Sequence, residues 1–354
     1  MSKLRIGMVG LGSMSVRHVD AIRKCSQMEL SAICTRSASN LNERANLWGV
    51  SKTYLNYEDM LLESDIDAVV IITPNKFHAP MTMTALKAGK HVFCEKPPAM
   101  SAAEVKEIME CANGSGKVLM YGFMFRFSRK YNFIRELREK GMFGEIYFAK
   151  AGIIRRSGNP GGWFTNKEMS GGGPLIDLGS HIIDLSLYLM GDYEPVSVFA
   201  RTFKQTENLD NTKEHGSYKA ININNYSNDI EEMALVVINF NNGACLVVET
   251  SNVSHIKDDT MFLEMLGTKG GITVDPKMEI HTSYQNYLMN IIPQVDCTEF
   301  DYQAAIDNEI YHFGDCIINN VECIASAKSG LKLMKIIDTA YESADRGKLI
   351  EIRK

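Results

Sequence analysis

Apolar positions in the first third of the chain form short unbroken runs, and segments with helical spacing separate them. The runs Leu4–Val9, Ala68–Ile72 and His91–Cys94 are typical of parallel strands buried on both faces. Strands that alternate with helices over short connections predict a parallel, doubly wound sheet. The remaining elements predicted here are the strands Glu29–Cys34 and Val118–Tyr121 and the helices Ser13–Cys25, Asn40–Trp48, Pro80–Ala88 and Ser101–Cys111.

After Gly122 the pattern changes to alternating apolar and polar residues, which predicts an α+β region with an open, mostly antiparallel sheet. Two helix boundaries are marked clearly. Ser101 and Glu104 have the spacing of a capping box, and Pro174 and Gly191 delimit a helix of the second half. The strands predicted here are Glu145–Arg155, Val196–Thr202, Met233–Asn239, Ala244–Ser251, Phe262–Leu266 and Leu349–Ile352, and the further helices are 128–140, Tyr302–Asn319 and Gly330–Ala344.

The change of pattern predicts two domains, residues 1–122 and residues 123–354, with a C-terminal tail that could pack back on the first domain. A length of 354 residues agrees with this division, since a typical domain has about 150. The polar, Asn-rich stretch Lys204–Asn228 is predicted to be a surface excursion of the second domain.

Composition and charge narrow the class of protein. Hydrophobic residues make up 45% and charged residues 23%, and the net charge of −5 gives no bulk attraction for nucleic acid or an anionic membrane. Because no signal peptide or membrane-spanning run is visible, we expect a cytoplasmic protein. The eight cysteines include no CxxC pair and the eight histidines no HExxH motif, so we expect free thiols and no metal site.

A glycine turn follows the first predicted strand. In the run Gly10, Leu11, Gly12, Ser13, Met14, the first glycine permits a tight turn and the second lets the backbone approach a pyrophosphate at the helix N-terminus. Ser15 takes the third glycine position of this motif. The arrangement predicts a dinucleotide site.

The end of the second strand bears on the choice of cofactor. An acidic residue usually meets the ribose 2′-hydroxyl of NAD at this point, but here the chain has Thr35 and Arg36. Arg36 can pair with a 2′-phosphate, which mildly favours NADP over NAD. Alternatively, Arg36 stacks over the adenine, which either cofactor permits.

Two further loops follow strands of the parallel sheet and are expected at its ligand-binding edge. The first contains Thr73, Pro74, Asn75 and His78, although His78 could instead cap the next helix. The second is Glu95–Lys96, followed by Pro97 and Pro98.

In these motifs the chain resembles the glucose–fructose oxidoreductase, inositol dehydrogenase and rhizopine-catabolism (Gfo/Idh/MocA) family. The matching pieces are GLGSM at 10–14, TPN at 73–75 with His78, AGKHVFCEKP at 88–97, GGGPLIDLGSHIIDLSLYLMG at 171–191 and YESADRGKLIEI at 341–352. They span essentially the whole chain, from Gly10 to Ile352. The resemblance implies an N-terminal Rossmann domain that binds NAD(P), a substrate domain, and assembly into homodimers or homotetramers through the open sheet.

The resemblance also implies catalytic roles. Lys96 bridges the substrate hydroxyl and the nicotinamide ribose, and Glu95 belongs to the same cofactor-binding motif. Asp177 and His181 stand four residues apart, so both project from one helix face, and His181 takes the hydroxyl proton with Asp177 assisting. An alternative for Asp177 is helix capping near the positive helix end.

Several positions bear on the substrate. Met124 lies in the segment that approaches the nicotinamide in relatives, but Phe125–Arg126 follows where many cyclitol-oxidising relatives have two basic residues. Ile306 stands where relatives often have Tyr. Both departures disfavour inositol and favour a glycoside with an apolar aglycone. Arg155 and Trp163 are further substrate-binding candidates, and Trp163 could stack on a sugar face or pack in the core.

We therefore predict an NAD(P)-dependent dehydrogenase that interconverts a secondary alcohol and a ketone on a sugar, glycoside or cyclitol, with a keto-sugar product at C3. Three alternatives remain. They are an NAD-dependent glycosidase of the same fold, a non-catalytic dinucleotide-sensing regulator, which would have lost some of Lys96, Asp177 and His181, and a biliverdin-reductase-like enzyme.

Overall fold

A computed structural model describes residues 3–204 and 228–353. The predicted surface excursion Lys204–Asn228 lies almost entirely outside the described residues. The chain divides into two compact units, the first comprising Met1–Phe127 and Asp301–Met334 and the second Ser128–Phe300 and Lys335–Lys354. Among the described residues, no helix is both long enough and apolar enough to cross a membrane.

The first unit is built on a six-stranded sheet with the order β3-β2-β1-β4-β5-β6, in which every pairing is parallel. The predicted doubly wound parallel sheet is thereby confirmed. The strands are β1 (Leu4–Val9), β2 (Met28–Cys34), β3 (Lys52–Tyr54), β4 (Ala68–Ile71), β5 (His91–Cys94) and β6 (Leu119–Tyr121). The helices are α1 (Ser13–Lys24), α2 (Ala38–Trp48), α3 (Tyr57–Glu63), α4 (His78–Lys87) and α5 (Ala102–Ser115).

The start of α5 shows how the sequence sets a helix boundary. Ser101 is the N-cap, and its hydroxyl accepts a hydrogen bond from the Glu104 backbone N–H at 3.2 Å, as the sequence predicts. The Glu104 carboxylate reaches one residue further back than a capping box requires and accepts from the Met100 N–H at 2.8 Å. Two of the unpaired N–H groups around the helix start are thus satisfied.

The second unit contains a nine-stranded sheet with the order β14-β13-β12-β11-β7-β10-β9-β8-β15. Only the β7–β10 pairing is parallel, so the predicted mostly antiparallel sheet is also confirmed. The elements from residue 128 onward are α6 (Arg129–Glu139), β7 (Ile146–Ile154), α7 (Lys167–Ser170), α8 (Pro174–Met190), β8 (Pro195–Phe203), β9 (Met233–Phe240), β10 (Cys245–Ser251), β11 (Thr260–Gly267), β12 (Gly270–Asp275), β13 (Glu279–Tyr284), β14 (Tyr287–Ile291), α9 (Tyr302–Ile318), α10 (Ala327–Arg346) and β15 (Ile350–Glu351).

The division between the units differs from the boundary that the sequence places at residue 122. Residues 123–127 and 301–334 belong to the first unit, because α9 packs against α1 and the Phe313 ring lies 5.9 Å from that of Phe93. The final residues belong to the second unit, where Ile350 of β15 pairs with Val198 of β8. The order of residues in the sequence does not indicate this arrangement, because α9 contacts β5, a strand more than 200 residues earlier in the chain.

Candidate active site

The glycine turn after β1 has the conformation that its sequence predicts. Gly10 has φ +92°, and a Cβ at this position would lie 2.2 Å from the Ile72 carbonyl oxygen, so only glycine fits. Gly12 is the N-cap of α1 without a side-chain cap, and a Cβ there would meet no atom within 4 Å. The first turn of α1, which contains Ser13 and Met14, carries no acidic residue. This helix start therefore suits an anion.

Ser15 explains why the third glycine of the motif is dispensable. Its side chain is fully buried, and its hydroxyl donates to the Gly12 carbonyl oxygen at 2.5 Å. A buried hydroxyl with a partner costs little. The departure from the motif therefore leaves the turn intact.

Arg36 lies at the carboxyl end of β2, near the loop that follows β4. Its exposed guanidinium carbon is 5.1 Å from the centroid of the Phe77 ring, a cation–π geometry. The neighbouring Thr35 is held by its backbone, since its N–H donates to the Tyr54 carbonyl oxygen at 3.2 Å. Both residues therefore lie at the edge of the sheet where the sequence predicts the adenosine end of a cofactor.

The loop after β4 has an unsatisfied polar atom. Thr73 Oγ1 is buried and, in the part of the chain that the structure describes, has no hydrogen-bond partner. Pro74 precedes a short 3₁₀ turn, and Asn75 within that turn is buried. A buried hydroxyl without a partner costs about 1–3 kcal/mol, so a ligand that supplied one would be stabilised here. Together with the turn at Gly10 and Gly12, this atom fits a dinucleotide.

His78 fixes this loop against the loop after β5. Its Nδ1 lies 2.7 Å from the Pro97 carbonyl oxygen and its Nε2 lies 2.8 Å from the Thr73 carbonyl oxygen. Burial lowers the pKa of the imidazole, although these carbonyls oppose the change. Phe77, and not His78, is the N-cap of α4, and it makes no side-chain cap bond. The alternative in which His78 caps the helix is therefore wrong, because its ring bridges two loops.

Glu95, at the end of β5, is paired with a residue that the sequence did not reveal. Its Oε1 lies 2.7 Å from Nε2 of the fully buried His18 on α1. Burial opposes ionisation of Glu95, but the hydrogen bond and charge of His18 hold the pKa of the carboxyl below its usual range. A Cβ at Gly122 would lie 3.0 Å from the Glu95 carboxylate, which explains the glycine after β6. The spacing of His18 within an amphipathic helix gave no sign of this pair.

Lys96 follows directly and is partly exposed, and its backbone N–H donates to Glu95 Oε2 at 3.1 Å. The Lys96–Pro97 peptide bond is cis. The backbone of Lys96 is therefore anchored to the Glu95–His18 pair. The first unit thus brings together, at the carboxyl ends of β1, β2, β4 and β5, the predicted residues Gly10, Gly12, Ser13, Met14, Thr35, Arg36, Thr73, Pro74, Asn75, His78, Glu95 and Lys96.

Met124 lies in a 3₁₀ turn that follows β6, and both it and Phe125 are buried. Arg126 is also buried, and its guanidinium donates to the Ile324 carbonyl oxygen and to Ser329 Oγ. Ile306 on α9 is 1% exposed. The Arg126 side chain is thus engaged in hydrogen bonds within the first unit. Met124, Phe125 and Ile306 are apolar.

In the second unit, α8 is buried on all sides except one stripe. Of its 17 residues, every one is buried apart from Asp177, His181 and Tyr188. The spacing of four and seven residues places these side chains on one face of the helix. The Tyr188 hydroxyl donates to Asn132 Oδ1 at 2.7 Å. The face predicted to carry the acid–base pair is therefore the face that α8 leaves accessible.

The start of α8 is held by two residues that sequence reasoning missed. The Glu231 carboxylate accepts from the backbone N–H groups of Gly173 at 2.9 Å and Leu175 at 3.1 Å, and from the Tyr341 hydroxyl at 2.8 Å. A Cβ at Gly172 would lie 2.0 Å from the Tyr341 hydroxyl oxygen, so the glycine run is a consequence of this packing. Asp177 itself lies in the first turn of α8, near the positive end of the helix.

The remaining predicted substrate residues, Arg155 and Trp163, also belong to the second unit. Arg155 Nη1 donates to the Gly158 carbonyl oxygen at 2.9 Å, which orders the loop after β7. The partly exposed Trp163 stacks on Phe164 with ring centroids 3.8 Å apart. This ring is therefore neither a buried core residue nor isolated.

Comparisons with known proteins cover both units. Residues 4–123 match a profile described as the oxidoreductase family with an NAD-binding Rossmann fold, and residues 131–273 match the GFO/IDH/MocA C-terminal domain. The chain is 34% identical to the D-glucoside 3-dehydrogenase of Escherichia coli K12, across 99% of this chain and 98% of that protein. It is 28% identical to the myo-inositol 2-dehydrogenase of Thermotoga maritima, across 77% and 75% of the two chains.

Among solved structures, a levoglucosan dehydrogenase in complex with NADH superimposes with a TM-score of 0.86. The match covers 100% of both chains at 22% identity, which establishes a shared fold.

Proposed function

Because the chain belongs to the Gfo/Idh/MocA family of oxidoreductases, as its motifs predict, we propose that it oxidises one secondary hydroxyl of a hexose glycoside to a ketone with reduction of NAD(P). The observation that carries the proposal is the accessible stripe of α8. Asp177 and His181 are two of only three residues of this helix that are not buried. A regulator that only senses a dinucleotide has no need for a carboxylate–imidazole pair on such a face.

In the proposed reaction, His181 accepts the hydroxyl proton, and Asp177 orients the imidazole and stabilises its charged form. Lys96 donates a hydrogen bond to the same oxygen and stabilises its developing negative charge. A bound nicotinamide would supply the acceptor for the carbinol hydrogen, which leaves as hydride. The C–O bond becomes C=O as the proton goes to His181, so charge and atoms balance.

The turn of α1 at Gly12 and the buried hydroxyl of Thr73 support binding of a dinucleotide at the edge of the first sheet. Arg36 supports NADP in particular, because its exposed guanidinium can form a charge-assisted pair with a 2′-phosphate. Its contact with Phe77 keeps the guanidinium at this edge.

Apolar side chains support a glycoside over inositol as the substrate. Met124, Phe125 and Ile306 offer no hydrogen-bonding groups, and Arg126 is already engaged. A cyclitol with a hydroxyl on every carbon would lose about 1–3 kcal/mol for each buried hydroxyl left unpaired. The extended similarity to the E. coli D-glucoside 3-dehydrogenase supports the same substrate class and oxidation at C3.

The test is a comparison of an aryl glucoside, glucose and myo-inositol as substrates with NAD and with NADP. We expect the highest kcat/KM for the glucoside, and a product lighter by two hydrogens whose carbonyl NMR assigns to C3. A higher kcat/KM for myo-inositol would contradict the substrate class. Release of free aglycone without a ketone would instead show a glycosidase and overturn the proposal.

Variants test the catalytic assignment separately. We expect Lys96→Ala and His181→Ala each to lower kcat by ~10²–10⁴, the range for a positioned acid–base group. Lys87→Ala, which removes an exposed lysine at the end of α4, is the matched control and should leave kcat unchanged. Near-normal turnover in either active-site variant, with the protein folded, would contradict the assignment.

A further inference from the structure

Three side chains with metal-ligating atoms converge at the end of α9, although the sequence shows neither a CxxC nor an HExxH motif. His312 offers a ring nitrogen as a ligand atom, and Cys316 and Cys323 each offer a thiol sulfur. These three atoms lie within 4.8 Å of one another. His312 Nε2 is 3.4 Å from Cys316 Sγ. None of the residues assigned to the dehydrogenase reaction belongs to this cluster.

The fold brings the three residues together by two local devices. His312 and Cys316 stand four apart on α9, so both project from one face. The helix ends at Ile318, and Asn320 with φ +54° lets the chain turn back so that Cys323 meets the same face. The spacing H-x₃-C-x₆-C brings the three side chains together only because the helix ends between the two cysteines. The sequence alone therefore does not indicate the cluster.

The loop that carries Cys323 is anchored on both following residues. The Ile324 carbonyl oxygen accepts from the buried Arg126 guanidinium, and the Ala325 carbonyl oxygen accepts from the Tyr121 N–H at 2.9 Å. These bonds fix the backbone beside Cys323, and its thiol makes a long contact, 3.9 Å, with the Leu119 carbonyl oxygen. The position of the third ligand is therefore set in advance, which lowers the entropic cost of binding.

Nε2 of His312 faces the cluster, 3.4 Å from Cys316 Sγ. The Ile324 backbone N–H, which can only donate, points at the same nitrogen at 3.3 Å, so Nε2 is an acceptor. A metal ion bound at Nε2 would replace the Ile324 N–H on this lone pair. The ring packs against Phe127 at a centroid distance of 5.3 Å, which limits its rotation. A ring nitrogen that carries a lone pair and no proton is the form of imidazole that ligates a metal.

We propose that His312 Nε2, Cys316 Sγ and Cys323 Sγ form a zinc site, with a water molecule or an added ligand in the fourth position. Two thiolates and one imidazole suit a borderline-soft divalent ion and not Mg²⁺ or Ca²⁺, which prefer oxygen. Tetrahedral coordination at ~2.3 Å to sulfur and ~2.0 Å to nitrogen places sulfur and nitrogen about 3.5 Å apart, close to the separation seen here. The ion would tie the end of α9 to the loop beside Arg126.

Zinc binding to the full-length reduced protein tests the site directly. After treatment with a chelator, we expect the chain to bind one equivalent of Zn²⁺ and no Mg²⁺ at equal concentration. Co²⁺ should give the visible spectrum of a four-coordinate site, with thiolate-to-cobalt charge transfer in the near ultraviolet. X-ray absorption of the zinc form should show two sulfur neighbours and at least one imidazole.

Variants distinguish the cluster from other thiols of the chain. Cys316→Ser, Cys323→Ser and His312→Ala should each weaken binding by at least ~100-fold, more than the 10–100-fold for loss of an outer partner. Cys111→Ser, which alters a partly exposed thiol on α5, should bind as the wild type does. Because a variant at the buried Cys316 could unfold, the thermal midpoint of the wild type with and without Zn²⁺ provides an independent measure, and we expect it to rise.

Zinc binding that persists in the Cys316→Ser/Cys323→Ser double variant would overturn the proposal. A reduced protein that takes up no zinc would overturn it as well. Since every readout is binding or stability, these outcomes leave the proposed dehydrogenase activity untouched.

Discussion

Single side chains at the edge of the first sheet are fixed by partners far away in the sequence. Glu95 bonds to His18, 77 residues earlier, and His78 bridges the carbonyls of Thr73 and Pro97. These contacts fix the backbone on either side of Lys96. Because such pairs depend on the meeting of two strands and a helix, the residue types along the chain do not indicate them.

The Glu95–His18 pair has a measurable dependence on pH. The lowered pKa of Glu95 means that its stabilising contribution is complete above the pKa of the unfolded chain, about 4.3, and is lost as the pH falls through the lower pKa of the folded protein. We expect Glu95→Gln to lower the free energy of unfolding by roughly 2 kcal/mol at pH 7. Urea unfolding between pH 3 and 7 should show the difference between wild type and variant shrinking below about pH 4.3.

Glu110→Gln is the matched control for this measurement, since Glu110 is exposed on α5. Its free energy of unfolding should follow that of the wild type within about 0.5 kcal/mol at every pH. A Glu95→Gln deficit that stays constant down to pH 3 would show that lost packing, and not ionisation, is responsible.

Arg36 provides a test of cofactor preference. A charge-assisted pair with the 2′-phosphate is worth roughly 1.5–3 kcal/mol, so Arg36→Ala should raise the Kd for NADP at least about ten-fold more than that for NAD. Arg44→Ala, which removes another arginine stacked on an aromatic ring of the same unit, should change neither. Equal losses for both cofactors from Arg36→Ala would mean that the guanidinium only stacks on adenine.

At the scale of elements, α8 is positioned by a residue from another part of the chain. Glu231 satisfies the N–H groups of Gly173 and Leu175, 58 and 56 residues earlier, which a helix start cannot satisfy itself. Burial raises the pKa of Glu231 even though these donors and the Tyr341 hydroxyl favour its charge. The carboxylate therefore fixes where the helix begins, and with it the positions of Asp177 and His181.

Glu231→Ala should accordingly affect both stability and catalysis. Two backbone N–H groups lose their acceptor, so we expect a loss of about 2–3 kcal/mol in the free energy of unfolding, measured with urea. A shift of the helix start should also lower kcat roughly 10- to 100-fold, with the Kd for the cofactor unchanged. Glu231→Gln, which keeps one acceptor oxygen, should recover part of kcat.

Glu249→Ala is the control for Glu231→Ala, because Glu249 on β10 makes only a loose ion pair at 4.0 Å with Lys150. It should cost less than about 1 kcal/mol. If Glu231→Ala left kcat unchanged while destabilising the protein, Glu231 would be a structural residue with no influence on the position of His181.

Elements with a strong local pattern are the ones that the sequence predicts. The boundaries of α8 follow from Pro174 and Gly191, and β1 and β5 match the predicted runs residue for residue. The sequence gives no indication of β3, which is partly or fully exposed along its length, or of β14, which is almost entirely exposed. Such strands exist because a neighbouring strand pairs with them, and that information is not local.

Site residues divide in the same way. The glycine turn and Lys96 lie in short motifs, so a few adjacent residues are enough to indicate their chemistry. No such motif marks His18, Glu231 or Tyr341, because each of these residues acts through a contact that only the folded chain creates.

At the scale of the whole molecule, the accessible face of the nine-stranded sheet carries a group of apolar residues on β8, β9 and β10. Along β9 the buried residues Ala234, Val236 and Ile238 alternate with partly exposed ones, and the latter are mainly apolar as well. In register beside Val237 lie Phe199 on β8 and Val247 on β10, both also partly exposed. A sheet face that meets water is normally polar, so we propose that a second copy of the chain covers this one, in a homodimer or homotetramer.

Val237→Lys tests this proposal, because it places a charge in the middle of the face. Burying an unpaired ammonium at an interface costs several kcal/mol, so the variant should dissociate at protein concentrations at which the wild type remains a dimer or tetramer. Sedimentation equilibrium measures the association state of the wild type and of the variant. Leu62→Lys is the control, since Leu62 is 81% exposed on α3 of the other unit, and it should assemble like the wild type. A monomeric wild type at micromolar concentration, or unchanged assembly of Val237→Lys, would show that the face meets solvent and that its apolar character needs another explanation.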